Sequence, residues 1–154
     1  MATLQPWHER LDECNVDENG HEYVSADPGF ERSMRGLFAG GCYERSGKTY
    51  EFFAGGYSEY NDFRETLCRA VHVVGPRTIW EEPDAWADTP FFELINFADN
   101  EGHIGPISAA DLAEDFNTHR DQITARLSDD FRQYYEHWAT ALQLAAGTGI
   151  VTLH

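Results

Sequence analysis

Apolar residues recur at helical spacing in three stretches of the chain. Tyr60, Phe63, Leu67 and Ala70 or Val71 fall on one face of a helix predicted over Glu59–Val71, with Ser58 placed to cap it. On that helix Arg64, Glu65 and Arg69 are expected to point away from the buried face. Leu112, Phe116, Ile123 and Leu127 carry a second stripe, with a break near His119. Ser108 followed by Asp111 reads as the capping-box start of that stretch. The third stripe is Phe131, Tyr134 or Tyr135, Trp138, Leu142 and Ala145. Ser128 caps it, Asp129 and Asp130 suit the positive end of its dipole, and Gly147 stops it. Aromatic stripes of this kind build cores more readily than they bind cofactors, and no cofactor is indicated.

Other stretches alternate or run short. Leu37–Tyr43 and Thr49–Phe53 read as a β-hairpin joined by residues 44–48. Ile150–Leu153 reads as a final strand that pairs with this hairpin, and His72-Val73-Val74 as a strand that Gly75-Pro76 ends. Residues 77–90, with two prolines and with Trp80 and Trp86, read as a loop laid over the core. Residues 1–35 are the least regular; Trp7, Leu11 and Cys14 fit one side of a short helix before an Asn-Gly turn. Together these elements predict an α+β fold, a small mainly antiparallel sheet packed by three to four helices, in one domain over residues 1–154.

Thr89–Pro106, TPFFELINFADNEGHIGP, is the densest mixture of apolar anchors and chemistry-bearing residues. Thr89 is expected to cap a short helix that begins at Pro90 and buries Phe91, Leu94 and Ile95. A buried strand over 92–97 is the rival reading, since the run is too short for periodicity to decide. Asp99-Asn100-Glu101-Gly102 is turn chemistry, and Gly105-Pro106 closes the loop.

Charge narrows the function classes. The chain has 27 acidic and 11 basic residues, a net charge of −16, and a single lysine, Lys48. Direct nucleic-acid binding is excluded, because phosphate recognition draws on Lys and Arg. A salt-adapted or high-GC composition, a surface tuned for solubility, or an acidic face that docks on a basic partner all fit this balance. No apolar run reaches the roughly 20 residues that span a membrane, and the first residues carry no leader pattern, so a cytoplasmic chain with no membrane partner is expected. Cys14, Cys42 and Cys68 form no CxxC pair and are expected to be reduced, partly buried thiols.

Two near-motifs fail on context. Residues 42–49 differ by one residue from a phosphate loop, but the stretch after them is aromatic, short and ended by two glycines rather than helical. Asn15, Asp17, Asn19 and Gly20 echo a calcium loop, but Ala26 stands where the bidentate glutamate belongs. The echo at Asp99, Glu101 and Gly102 has Phe97 and Ser108 at its ends and fails too.

Two segments carry a resemblance. Residues 53–64, FAGGYSEYNDFR, and residues 90–106, PFFELINFADNEGHIGP, resemble paired motifs of a group of small bacterial and phage proteins. This chain departs from the pattern at Gly56, Glu59 and Ala98. The resemblance covers roughly residues 50–153 and implies a shared fold and a shared pocket, with no activity attached. Packing alone explains Tyr57, Ser58, Tyr60, Asn61, Arg64, Glu93, Asn96, Asp99 and Glu101 poorly, which makes them the ligand-binding candidates. They line one polar pocket if the Ser58 helix start faces the Asp99 loop; Arg64 paired with Glu93 or Asp99 is the structural counterpart.

The leading expectation is therefore a binding or interaction module, taking a small polar ligand or a protein partner. The first alternative is a metal-assisted hydrolase using Glu93, Asp99, Glu101 and His103, of which Asp99, Glu101 and His103 are weak metal-ligand candidates. The second is an acidic decoy of nucleic acid that binds a basic protein.

Overall fold

The computed structural model describes residues 2–4, 10–11, 20–26, 28–44, 47–97 and 101–153, with side chains from residue 20 onward. The architecture is α+β, as the pattern predicts. Among the described residues, six strands and seven helices follow in this order: β1 (Ala2–Leu4), β2 (Arg10–Leu11), β3 (His21–Val24), β4 (Gly41–Glu44), α1 (Tyr57–His72), α2 (Pro76–Glu81), α3 (Pro83–Trp86), α4 (Phe92–Ile95), β5 (Gly102–Ile104), α5 (Pro106–Thr118), α6 (Arg120–Thr124), α7 (Asp129–Ala145) and β6 (Ile150–Leu153). Among the described residues no helix is long and apolar enough to cross a membrane.

The strands form two antiparallel sheets, ordered β1-β6-β5 and β2-β4-β3. The last strand lies between residues 2–4 and residues 102–104. Its four residues are all buried, and period two sends them to opposite sides. Val151 and Leu153 join the main core with the helices, while Ile150 packs with Val24, Met34 and Tyr43 beside the second sheet. The β1-β6-β5 sheet is thus a middle layer with helices on one face and the smaller sheet on the other. The main core is built on the predicted stripes: Phe63, Leu67, Leu112, Phe116, Ile123, Tyr135, Trp138 and Leu142 are all buried. Each such large side chain contributes about 1.5–3 kcal/mol.

Several expectations are corrected. The predicted hairpin does not form: β4 pairs with β3 and β2, not with Thr49–Phe53. That second run makes no ladder because its aromatics turn onto α7: Phe52 stacks on His137 at 5.3 Å, and Tyr50 bonds the Nδ1 of His137. The final strand pairs with β1 and β5, not with either run of the predicted hairpin. His72–Val74 is no strand; α1 runs through His72 and ends at Val73 in the left-handed region (φ 64°). Residues 77–90 contain two short helices, because Pro76 and Pro83 start helices instead of breaking them. Leu11 lies in β2, paired with Cys42, rather than on a helix; Trp7 and Cys14 lie outside the described residues.

The cap assignments divide. Ser128 accepts from the Phe131 N–H at 3.4 Å, as expected, and the break at His119 separates α5 from α6. Ser58 caps nothing: α1 begins at Tyr57 after Gly56, and the Ser58 hydroxyl donates to Glu59 instead. Ser108 sits inside α5, which begins at Pro106. One turn of helix comes after Thr89, but it starts at Phe92, since the Thr89 hydroxyl donates to the Trp86 carbonyl at 2.6 Å. The cysteines are not all reduced. Cys42 is disulfide-bonded, Cys68 is a free buried thiol, and Cys14 lies outside the described residues.

Candidate functional site

A solvent-open cleft of about 320 Å³ is lined mostly by charged residues. Three pieces of chain build it. The turn at residues 31–36 brings Arg32 and Arg35, three positions apart. The 87–93 segment brings Asp88 and Glu93. The third wall is α5, on which Ser108, Asp111 and Asp115 fall at i, i+3 and i+7 and so share one face. Backbone bonds lock the first wall to the third: Gly105 N–H donates to Ser33 O at 2.8 Å and Ile107 N–H to Arg35 O at 3.2 Å. Gly105 has to be glycine here, since a Cβ would stand 2.3 Å from the Arg35 carbonyl oxygen.

Arg35 is the hub. Its Nη2 donates to Glu93 Oε1 at 3.0 Å and to Asp111 Oδ2 at 2.6 Å, and its Nε to Ser108 Oγ at 3.2 Å. The Ser108 hydroxyl in turn donates to the Arg32 carbonyl. Arg32 reaches the other way, to Ala87 O at 2.7 Å and Asp88 Oδ1 at 2.8 Å. The Arg32–Asp88 pair lies in water and adds little stability. Glu93 is different, because it is only 5% exposed. Burial pushes its carboxyl above the usual glutamate range, and Arg35 and Arg32 only partly draw it back.

Asp115 is the second perturbed acid. Burial raises its carboxyl above the ordinary aspartate range, against the Phe91 N–H that donates to Oδ2 at 2.8 Å and favours the charged form. Phe91 stands at φ 62°, a conformation that costs a non-glycine residue about 1–3 kcal/mol. Its carbonyl accepts from both Leu94 and Ile95, so Asp115 supports the strained start of α4, the helix that carries Glu93. Two carboxyls with raised pKa therefore face one opening that also holds two guanidinium groups. Such a site can exchange protons and can grip a charged ligand.

The two motif segments do meet in space, but as a buried network rather than an open pocket. Tyr60 stacks on Trp138 at 5.7 Å and donates its hydroxyl to Leu94 O at 3.2 Å. Arg64 is 4% exposed, contrary to its expected outward face. It donates to the carbonyls of Ile95 and Phe97 and to Asn61 Oδ1, and lies over the rings of Tyr60 (4.7 Å) and Trp80 (5.3 Å). Arg64 thus binds the end of α4 through backbone oxygens, while Glu93 on the same helix pairs with Arg35. Tyr57 is 63% exposed and Ser58 is exposed. Asn96, half-buried, ends α4. Asp99 lies outside the described residues.

The described members of the metal-ligand set stand apart. Glu101 is exposed, and His103 is buried and bonded through Nε2 to Glu22 of the other sheet at 2.8 Å. Among the described residues no three His, Cys, Asp or Glu side chains gather as a metal group. Of the ligand-binding candidates among the described residues, only Glu93 lines the charged cleft. Arg32, Arg35, Asp111 and Asp115 escaped sequence reasoning. The available signals were the i, i+3 arginines in a segment with no regular pattern, and a polar row on α5 beside its apolar stripe. No family model, curated protein or solved structure matches this chain.

Proposed function

We propose that this protein is a binding module that holds a small polar ligand carrying a positively charged group in the cleft between residues 32–35, residues 87–93 and α5. The observation that carries this reading is the lining: Asp88, Glu93, Asp111, Glu114 and Asp115 face only two arginines around an opening of about 320 Å³. Packing needs the Arg35 ties to Glu93 and Asp111. It does not need Glu114 and the outer carboxylates turned into the same space. The arginines are already engaged by carboxylates and carbonyls, so the unmet charge of the cleft is negative and suits an ammonium or guanidinium group.

Thermal unfolding at low salt, with matched sets of small amines, guanidines, carboxylates and neutral polyols, tests it. A ligand at a hundredfold excess over its Kd adds about 2.7 kcal/mol. Cationic compounds are expected to raise Tm in the native protein and to lose that effect in Glu114→Gln. No Tm response to any cation, or an equal response in the variant, removes the reading.

A further inference from the structure

A second polar cluster, unconnected with the cleft's own side chains, lies between the two sheets. On β3 the buried positions are Glu22 and Val24, with Tyr23 outward. On β6 the residues of matching parity are Ile150 and Thr152, and Ile150 packs against Val24. His103 on β5 stands directly opposite Thr152. Thus Glu22, His103 and Thr152, each under a tenth exposed, share one layer with Val24, Tyr43 and Ile150.

The hydrogen bonding of this trio is incomplete in a specific way. Glu22 Oε1 lies 2.8 Å from His103 Nε2. With Glu22 Oε1 accepting, Nε2 carries a ring proton, and Nδ1 is the ring atom left to find a partner. Among the described residues that Nδ1 has no partner, and neither has the Thr152 hydroxyl. Opposed side chains on an antiparallel pair have their Cβ atoms about 5 Å apart. Two buried, unpartnered polar atoms therefore sit on neighbouring side chains of one face. Buried groups of this kind are nearly always satisfied, often by an internal water.

We propose that one water molecule is bound between His103 Nδ1 and Thr152 Oγ1, completing a relay from Glu22 through His103 and the water to Thr152. Water suits both ends, since it can donate or accept at either. A metal ion does not, because no third ligand of the right kind is present among the described residues. The relay's position matters for the cleft. Glu22 lies in the strand that leads to Arg32 and Arg35, and His103 in the strand that leads through Gly105 into α5. The relay joins the two strands from which opposite walls of the cleft emerge.

A crystal structure of the whole protein that orders internal water is the first test. One solvent peak is expected within about 2.7–3.2 Å of both atoms. A Thr152 hydroxyl bonded directly to Nδ1 or to a backbone carbonyl, with no peak, overturns the proposal. The second test is nitrogen NMR of labelled histidine in Thr152→Ser and Thr152→Val. The serine variant should keep the Nδ1 resonance of the native protein. The valine variant should move it, as a ring nitrogen moves on losing its partner. An unmoved resonance in the valine variant overturns the relay even without crystals. If the valine variant does not fold, the crystal structure of the native chain decides alone.

Discussion

Arg64 donates to the carbonyl oxygen of Phe97, across 33 residues of chain, from a site that is buried on every side. The same guanidinium reaches the Ile95 carbonyl and lies between the rings of Tyr60 and Trp80. A charged side chain here does the work of a helix C-cap for α4, whose four residues are too few to hold themselves.

Removing that guanidinium leaves buried carbonyls unmet. Arg64→Leu is expected to destabilise the fold by about 2–4 kcal/mol. Arg64→Lys should recover less than half of this, because an ammonium cannot serve two carbonyls and an amide in one plane. Urea unfolding of the three proteins measures it; a leucine variant within about 0.5 kcal/mol of the parent would show that the bonds are not stabilising.

Glu93 is buried, and its pKa is raised despite two arginines. Taking away Arg35 should raise it further. The folded state then holds a proton that the unfolded state releases near the ordinary value of 4.5. Stability is therefore retained at acid pH and lost as pH rises through the window above 4.5. Arg35→Met should be close to the parent at about pH 4.5 and clearly less stable at about pH 7. Equal loss at both pH values would mean that Arg35 acts through packing and not through charge.

Asp115 gives a companion test in which the acid itself is replaced. Its carboxyl is raised above 3.8 by burial, so ionising it costs stability as pH rises through the window above that value. Asp115→Asn keeps an oxygen for the Phe91 N–H and removes the charge. The variant is expected to be as stable as the parent or slightly more so at about pH 7. Its stability should also depend less on pH between about 4 and 6. A loss of more than about 1 kcal/mol at neutral pH would instead assign the carboxylate a stabilising role there.

Cys68 is fully buried on α1, and burial pushes its thiol up to about 11. The thiolate is the reactive form, so Cys68 in the native protein should resist iodoacetamide at about pH 8 and react readily in denaturant. Peptide mapping of the modified site reads this out. Rapid native labelling would contradict the packing around α1.

The long helices were legible because each carries a stripe of large apolar residues: Phe63 and Leu67, Leu112 and Phe116, Trp138 and Leu142 are buried as their spacing requires. Local chemistry misled where tertiary partners outcompeted it. Ser108 looked like a cap, yet its hydroxyl serves Arg32, 76 residues away. Thr49–Phe53 looked like a strand, yet Phe52 is held by His137 and Trp138. The charged cleft was almost invisible for the same reason. Its arginines come from the first quarter of the chain and its carboxylates from the middle, and of its described charged residues only Glu93 is among the ligand-binding candidates. Cys42 shows the limit for covalent links too, since residue spacing alone did not distinguish a thiol from a disulfide.

The position of β6 governs when this protein can fold. Residues 150–153 supply side chains to both cores and separate residues 2–4 from residues 102–104. Neither core closes without them. On the ribosome the earlier helices can form and collapse, but the middle layer stays open until residue 153 has emerged. The pairing of Ala2 with Thr152 then closes a loop of about 150 residues. Contacts that distant slow folding and leave apolar surface uncovered meanwhile. Refolding after dilution from denaturant should accordingly be slow for a chain this helical, with the β1–β6 pairing among the last events.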